Sequence, residues 1–360
     1  MAGATLSAEP REIRLVATSN QEPRNASCPD HRKTGVMQRL AALLDPFVIA
    51  LLATVALASV LPARGAAVAW VDLAAQAGIV LLFFLHGAKL SREAIIAGAR
   101  NWRLHLATLA VTFVMFPLLG ILIGALHVLP RELAAGMLFL TLLPSTVQSS
   151  IAFTAIARGN VAAAVCAASF SNLAGIFLTP ALVALLMGGS TGGLSWDSVE
   201  KIVGQLLLPF VVGHLMRPWI GEFVARNKAW LGRVDRGSIL LVVYAAFGAA
   251  VVEGLWQKVA PESLALLTVL CLALLGLVLG MTTLLGRAMG LPREDAVVLL
   301  FCGSKKSLAS GVPMAGVLFP AAQVGIVLLP IMVFHQLQLI ACALLAPKLA
   351  KGAPGGEREA

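Results

Sequence analysis

The chain has 360 residues, of which 59% are hydrophobic and only 12% charged, with a formal net charge of +9 and a mean hydropathy of +0.88. Soluble domains carry about a quarter charged residues, so this composition excludes a water-soluble globular protein and predicts a polytopic membrane protein. A window of about 19 residues finds ten apolar runs, each long enough for a helix across about 30 Å of hydrocarbon. Nothing alternates in the way a transmembrane barrel requires.

In chain order, residues 1–40 come first and hold Arg11, Arg14, Arg24, Arg32, Lys33 and Arg39 among polar neighbours. This segment reads as a disordered, basic, cytoplasmic tail without a signal peptide, ending in a short juxtamembrane helix near 37–44. The membrane domain is predicted over 41–349. Its spans are expected at 43–61, 67–86, 104–127, 132–157, 161–187, 199–216, 238–254, 264–285, 294–318 and 323–346. Residues 350–360 read as a second cytoplasmic tail.

The positive charge is a topology signal rather than a nucleic-acid footprint. Of the 27 lysines and arginines, 21 fall in the two tails and alternate connections, among them the 87–104 and 217–237 loops. Only Arg64, Arg131, Lys201 and Lys258 lie on the opposite set. The positive-inside rule therefore places both termini in the cytoplasm of a multi-pass protein of the cytoplasmic (plasma) membrane, in contact with lipid and with no nucleic-acid partner. An even number of spans requires the same placement. Four of the five cysteines lie within spans and read as small buried residues, not a disulfide framework.

The chain reads as two halves, 43–187 and 199–346. Pro46-Phe47-Val48 recurs as Pro209-Phe210-Val211, 163 residues later, and Pro130-Arg131-Glu132 recurs as Pro292-Arg293-Glu294, 162 residues later. Five spans per half make the second copy inverted, an arrangement typical of secondary transporters, in which interrupted helices flank a midplane site.

Spans four and nine carry the interruptions. Span four contains Pro144-Ser145-Thr146-Val147-Gln148-Ser149-Ser150, and span nine contains Gly303-Ser304-Lys305-Lys306-Ser307 followed by Gly311 and Pro313. Two lysines at mid-bilayer are costly unless they line a cavity or hold a broken helix through backbone carbonyls. The candidate substrate-binding set is Ser145, Gln148, Ser149, Ser150, Asn172, Ser304, Lys305, Lys306, Ser307 and His335. Hydroxyls and half-helix N-termini favour an anionic group. Ser169, Ser171, Gln336 and Gln338 read more simply as helix–helix hydrogen bonds. Gly303–Ser307 lacks the first glycine and preceding strand of a phosphate loop. No metal-ligand spacing and no nucleophile–base pair is present, so neither a metal cofactor nor catalysis is expected.

Phe83-Phe84-Leu85-His86-Gly87, Ala157-Arg158-Gly159-Asn160, Leu178-Thr179-Pro180 and Lys305-Lys306-Ser307-Leu308 together resemble the bile acid:sodium symporter family, in its divergent symporter-like branch. The resemblance covers residues 40 to 349. It implies an all-α, ten-helix fold with spans one, two, six and seven as a panel, the others as a core, and broken helices four and nine crossing. It also implies two sodium sites, most of whose ligand positions are altered here. One serine is kept as Ser150, but other ligand positions fall at Ile151, Ala164, Ala168, Thr112, Phe301 and Lys305. The expected function is secondary transport of a small organic anion by alternating access, with a proton or Na⁺ as candidate coupling ion. The alternative is a transporter-fold protein that regulates a partner. Lys305 is expected to stand where relatives hold sodium, with Lys306 as the competing candidate.

Overall fold

The computed structural model describes residues 46–89, 101–187 and 200–352. The basic tail, the 37–44 helix and residues 353–360 lie outside them. Every regular element among the described residues is helical, and the principal helices are α1 Pro46–Val60, α2 Ala66–Lys89, α3 Trp102–Ala125, α4 Arg131–Leu142, α5 Gln148–Ile156, α6 Val161–Met187, α7 Leu208–Arg226, α8 Lys228–Val252, α9 Pro261–Ala288, α10 Arg293–Gly303, α11 Leu308–Leu318 and α12 Ala321–Lys351. Six of them, α2, α3, α6, α8, α9 and α12, are long and apolar enough to cross a membrane. In lipid the backbone must satisfy its own hydrogen bonds, and helices do so.

The predicted spans four and nine are each two short helices. α4 stops because Leu143 is extended (ψ 154°) and the next residue, Pro144, has no N–H to continue the ladder. α11 starts at an extended Ser307 (ψ 110°), whose hydroxyl accepts the N–H of Ser310.

The predicted 217–237 loop is a correction. α7 and α8 run through it and are separated only by Asn227. Span ten likewise continues to Lys351, inside the expected tail. Hydropathy marks where lipid ends, whereas Arg, Lys and Ala are good helix formers on either side of that line.

α2 and α7 pack almost backbone to backbone. A Cβ on Gly87 would lie 2.0 Å from the Phe210 carbonyl oxygen, and one on Gly213 would lie 2.0 Å from that of Phe84. No other residue type fits either position. On the other side, Arg293 at the start of α10 donates to the carbonyls of Ala157, Arg158 and Leu349, capping the ends of α5 and α12. Asp295 accepts from Asn101 and Asn160, tying α10 to the start of α3 and the α5–α6 turn.

Candidate functional site

The two breaks meet, and nearly every backbone group freed at one is taken up by the other or by α6 and α12. The Ser307 N–H donates to the Pro144 carbonyl at 2.8 Å. The Ser145 hydroxyl donates to the Cys302 carbonyl at 2.5 Å, and that of Ser150 to the Phe301 carbonyl at 3.0 Å. Thr179 of α6 satisfies the Leu142 carbonyl, and Ser171 accepts the Ser145 N–H. Asn172 donates to the carbonyls of Ser145 (2.8 Å) and Ala168 (3.1 Å) and accepts from the Ser310 hydroxyl (2.9 Å). From α12, Gln338 forms a two-way clasp, accepting the Lys306 N–H and donating to the Lys306 carbonyl, both at 2.9 Å. Buried backbone polar groups must find such partners, and these residues supply them.

The two lysines are both fully buried but differ in surroundings. The Lys306 ammonium donates to the carbonyls of Thr112 (2.8 Å), Thr141 (2.8 Å) and Leu143 (2.7 Å) and lies 4.1 Å from the centre of the Phe116 ring. The Lys305 ammonium has a single long contact, 3.5 Å to the Ser149 hydroxyl. It sits over the rings of Phe153 and Phe301, at 4.3 and 5.5 Å. Of the two lysines, the one that holds the broken helices through backbone carbonyls is thus Lys306.

Beside the crossing is a cavity of about 360 Å³, bounded on its other side by α1, α2, α7 and α8. Thr146, Gln148, Ser149, Asn172, Ser307, Ser310 and His335 give it a polar floor, and Phe47, Leu82, Phe83, Phe210 and Met314 give it apolar walls. At one end stand His86, Lys89, Asp235 and Arg236. Asp235 is ion-paired with Lys89, and Arg236 lies over the Phe47 ring at 5.7 Å. The first turns of α5 and α11 both border the cavity, and the α5 terminus has no side-chain cap. Two positive helix ends therefore face one space.

Of the ten candidates, Gln148, Ser149, Asn172, Ser307 and His335 line this cavity, while Ser145, Ser150, Ser304, Lys305 and Lys306 are buried behind its wall. Neither lysine faces the cavity. Thr146 and Ser310 were absent from the candidate set, although both lie within the polar runs that signalled the breaks. Asp235 and Arg236 were missed because their segment read as a loop. The role of Thr112 rests on its backbone, which only Pro117, five residues on, foreshadows.

At the positions that the family resemblance assigns to sodium, few oxygens remain. Ser150 already donates to Phe301, Ala164 and Ala168 are buried without side-chain oxygens, and the Phe301 side chain packs on Phe153. An ammonium, that of Lys305, lies over the same two rings.

The SBF-like CPA transporter family model matches residues 45–351. An uncharacterized protein of Pseudomonas aeruginosa is 55% identical over 319 residues, covering 88% of this chain and 96% of that protein. The Escherichia coli protein named "Putative symporter YfeH" is 53% identical over 311 residues, 86% of this chain and 93% of its own. More distantly, sodium/bile acid cotransporter 7 of Danio rerio is 24% identical over 290 residues, 78% of this chain and 85% of that one. The chain belongs to the SBF-like CPA transporter family, and it is a multi-pass membrane transporter.

Proposed function

We propose that this member of the SBF-like CPA transporter family carries a small organic anion across the cytoplasmic membrane by alternating access. Its ten passes form two inverted five-span repeats, with both termini in the cytoplasm. The observation that carries the reading is the cavity onto which both α5 and α11 open their N-terminal turns, over a floor of neutral hydrogen-bonding side chains. The one carboxylate that lines it among the described residues, Asp235, is paired with Lys89, so the space holds a net positive field and suits an anion. The apolar walls suit a substrate with a hydrophobic body. Gln148, Ser149, Asn172, Ser307 and His335 contact it, and Ser145, Ser150, Ser304 and the two lysines hold the floor in shape. By the positive-inside rule the end bearing Lys89 and Arg236 faces the cytoplasm.

The scarcity of oxygen ligands at the sodium-equivalent positions supports transport without a sodium gradient. The regulatory alternative finds no support among relatives named as symporters and cotransporters. A thermal-stability screen of purified protein against aliphatic and aromatic carboxylates and taurocholate, followed by proteoliposome uptake of the stabilising anions, tests both points. Uptake should be equal in Na⁺ and choline buffers, and Gln148→Ala with Ser149→Ala should reduce it. Absence of any stabilising anion, or uptake abolished in choline, overturns the reading.

A further inference from the structure

The carbonyls around the Lys306 ammonium are ones the helices cannot use. In α3 the backbone takes one π-helical turn at Val111–Met115, so the Phe116 N–H bonds the Val111 carbonyl, five residues back. In that register the next N–H would reach Thr112, but residue 117 is proline and has none. The Thr112 oxygen is left over. In α4 the Thr141 carbonyl would ordinarily take the N–H of Ser145, which instead bonds the Ser171 hydroxyl. The Leu143 carbonyl lies beyond the end of the helix, on an extended residue. Three orphaned oxygens from two helices thus converge on one point, at the negative end of α4.

That point is a cation site, and a lysine ammonium has three N–H donors for its three acceptors, at 2.7–2.8 Å. The Phe116 ring face closes the site at 4.1 Å. Neither lysine pairs with a carboxylate among the described residues, so the carbonyl dipoles and ring are what offset the desolvation of Lys306.

We propose that Lys306 is a covalently tethered cation filling a carbonyl cage, and that it holds α3, α4 and the span-nine break together in the place of a soluble ion. The cage exists independently of the side chain that fills it, because the π-turn, Pro117 and Pro144 create it. Shortening the lysine therefore leaves a site that a free primary ammonium ion can occupy. The inference rests on the crossing's geometry and not on what the protein carries.

The test is thermal unfolding of the purified full-length protein in choline, ammonium, ethylammonium and tetramethylammonium buffers of equal ionic strength. Wild type should unfold at one temperature in all four. Lys306→Ala in choline should unfold roughly 5–15 °C lower, as expected when one partner of a buried charged cluster is removed. Ammonium and ethylammonium should restore much of that loss saturably. Tetramethylammonium, which has no N–H, should not. If Lys306→Ala does not fold, Lys306→Gln carries the same comparison, since its amide satisfies at most two of the three carbonyls. A variant as stable as wild type in choline, or one that tetramethylammonium rescues as well as ammonium does, overturns the proposal. A purely apolar packing role for the lysine stem would give a loss that no ammonium ion recovers, and Lys306→Met would then match wild type.

Discussion

Asn172 is the side chain that belongs both to the cavity floor and to the lock behind it, so its replacement by alanine separates the two. The substitution bares the Ser145 carbonyl, which lies beside a fully buried side chain. An unsatisfied buried acceptor costs about 1–3 kcal/mol. The Ala168 carbonyl keeps its helical partner and adds little. The Ser310 hydroxyl retains a neighbour in Ser307, at 3.1 Å, so its loss is at the low end of a hydrogen bond's net worth, about 0.5 kcal/mol. The total is about 2–3 kcal/mol, and at roughly 2–4 °C per kcal/mol for a chain of a few hundred residues the unfolding temperature should fall by about 5–10 °C. Asn172→Asp should fall at least as far, because a carboxylate accepts only and faces the Ser145 carbonyl. A double-mutant cycle with Ser310→Ala should show a coupling of about 0.5–1.5 kcal/mol. Thermal unfolding by intrinsic fluorescence reads all three. If Asn172→Ala unfolds within 1 °C of wild type, or the cycle shows no coupling, the hydrogen-bond accounting at the break is wrong.

Two further outcomes follow from the cavity's borders. Gly87→Ala and Gly213→Ala each place a methyl about 2 Å from a carbonyl oxygen of the opposing helix, so each should cost about 1–3 kcal/mol or more by overpacking, read as a lower unfolding temperature and reduced uptake; wild-type stability in either variant would refute the α2–α7 packing. Asp235→Asn should raise the affinity of the stabilising anion several-fold and Lys89→Ala should lower it, because an unpaired carboxylate beside the path repels an anion; binding titrations at low and high salt check the sign, and identical affinities in both variants would remove this end of the cavity from substrate recognition.

Much of this architecture is legible in the sequence because hydropathy and helix breaking are local properties. The apolar runs give helices near their predicted places, and Pro144 and Ser304–Ser307 mark both interruptions. The pairing of Lys89 with Asp235 was invisible, since a separation of 146 residues leaves no local trace. The division within the polar runs was equally hidden. Ser149 borders the cavity while Ser150 reaches back to Phe301, and Lys305 and Lys306 diverge from neighbouring positions to different partners. Along a helix such divergence follows from about 100° per residue, which accounts for Ser149 and Ser150 within α5, but Lys305 and Lys306 sit in irregular backbone where no fixed angle applies. The partners that decide the outcome are mostly main-chain carbonyls, which any residue could supply. Composition can therefore count the polar groups that a broken helix requires, whereas only the backbone path determines which of them meet a solute and which replace the helix's own missing hydrogen bonds. At this crossing the second task falls to Lys306 together with neutral side chains such as Ser145, Ser150, Thr179 and Gln338, and Asn172 serves both.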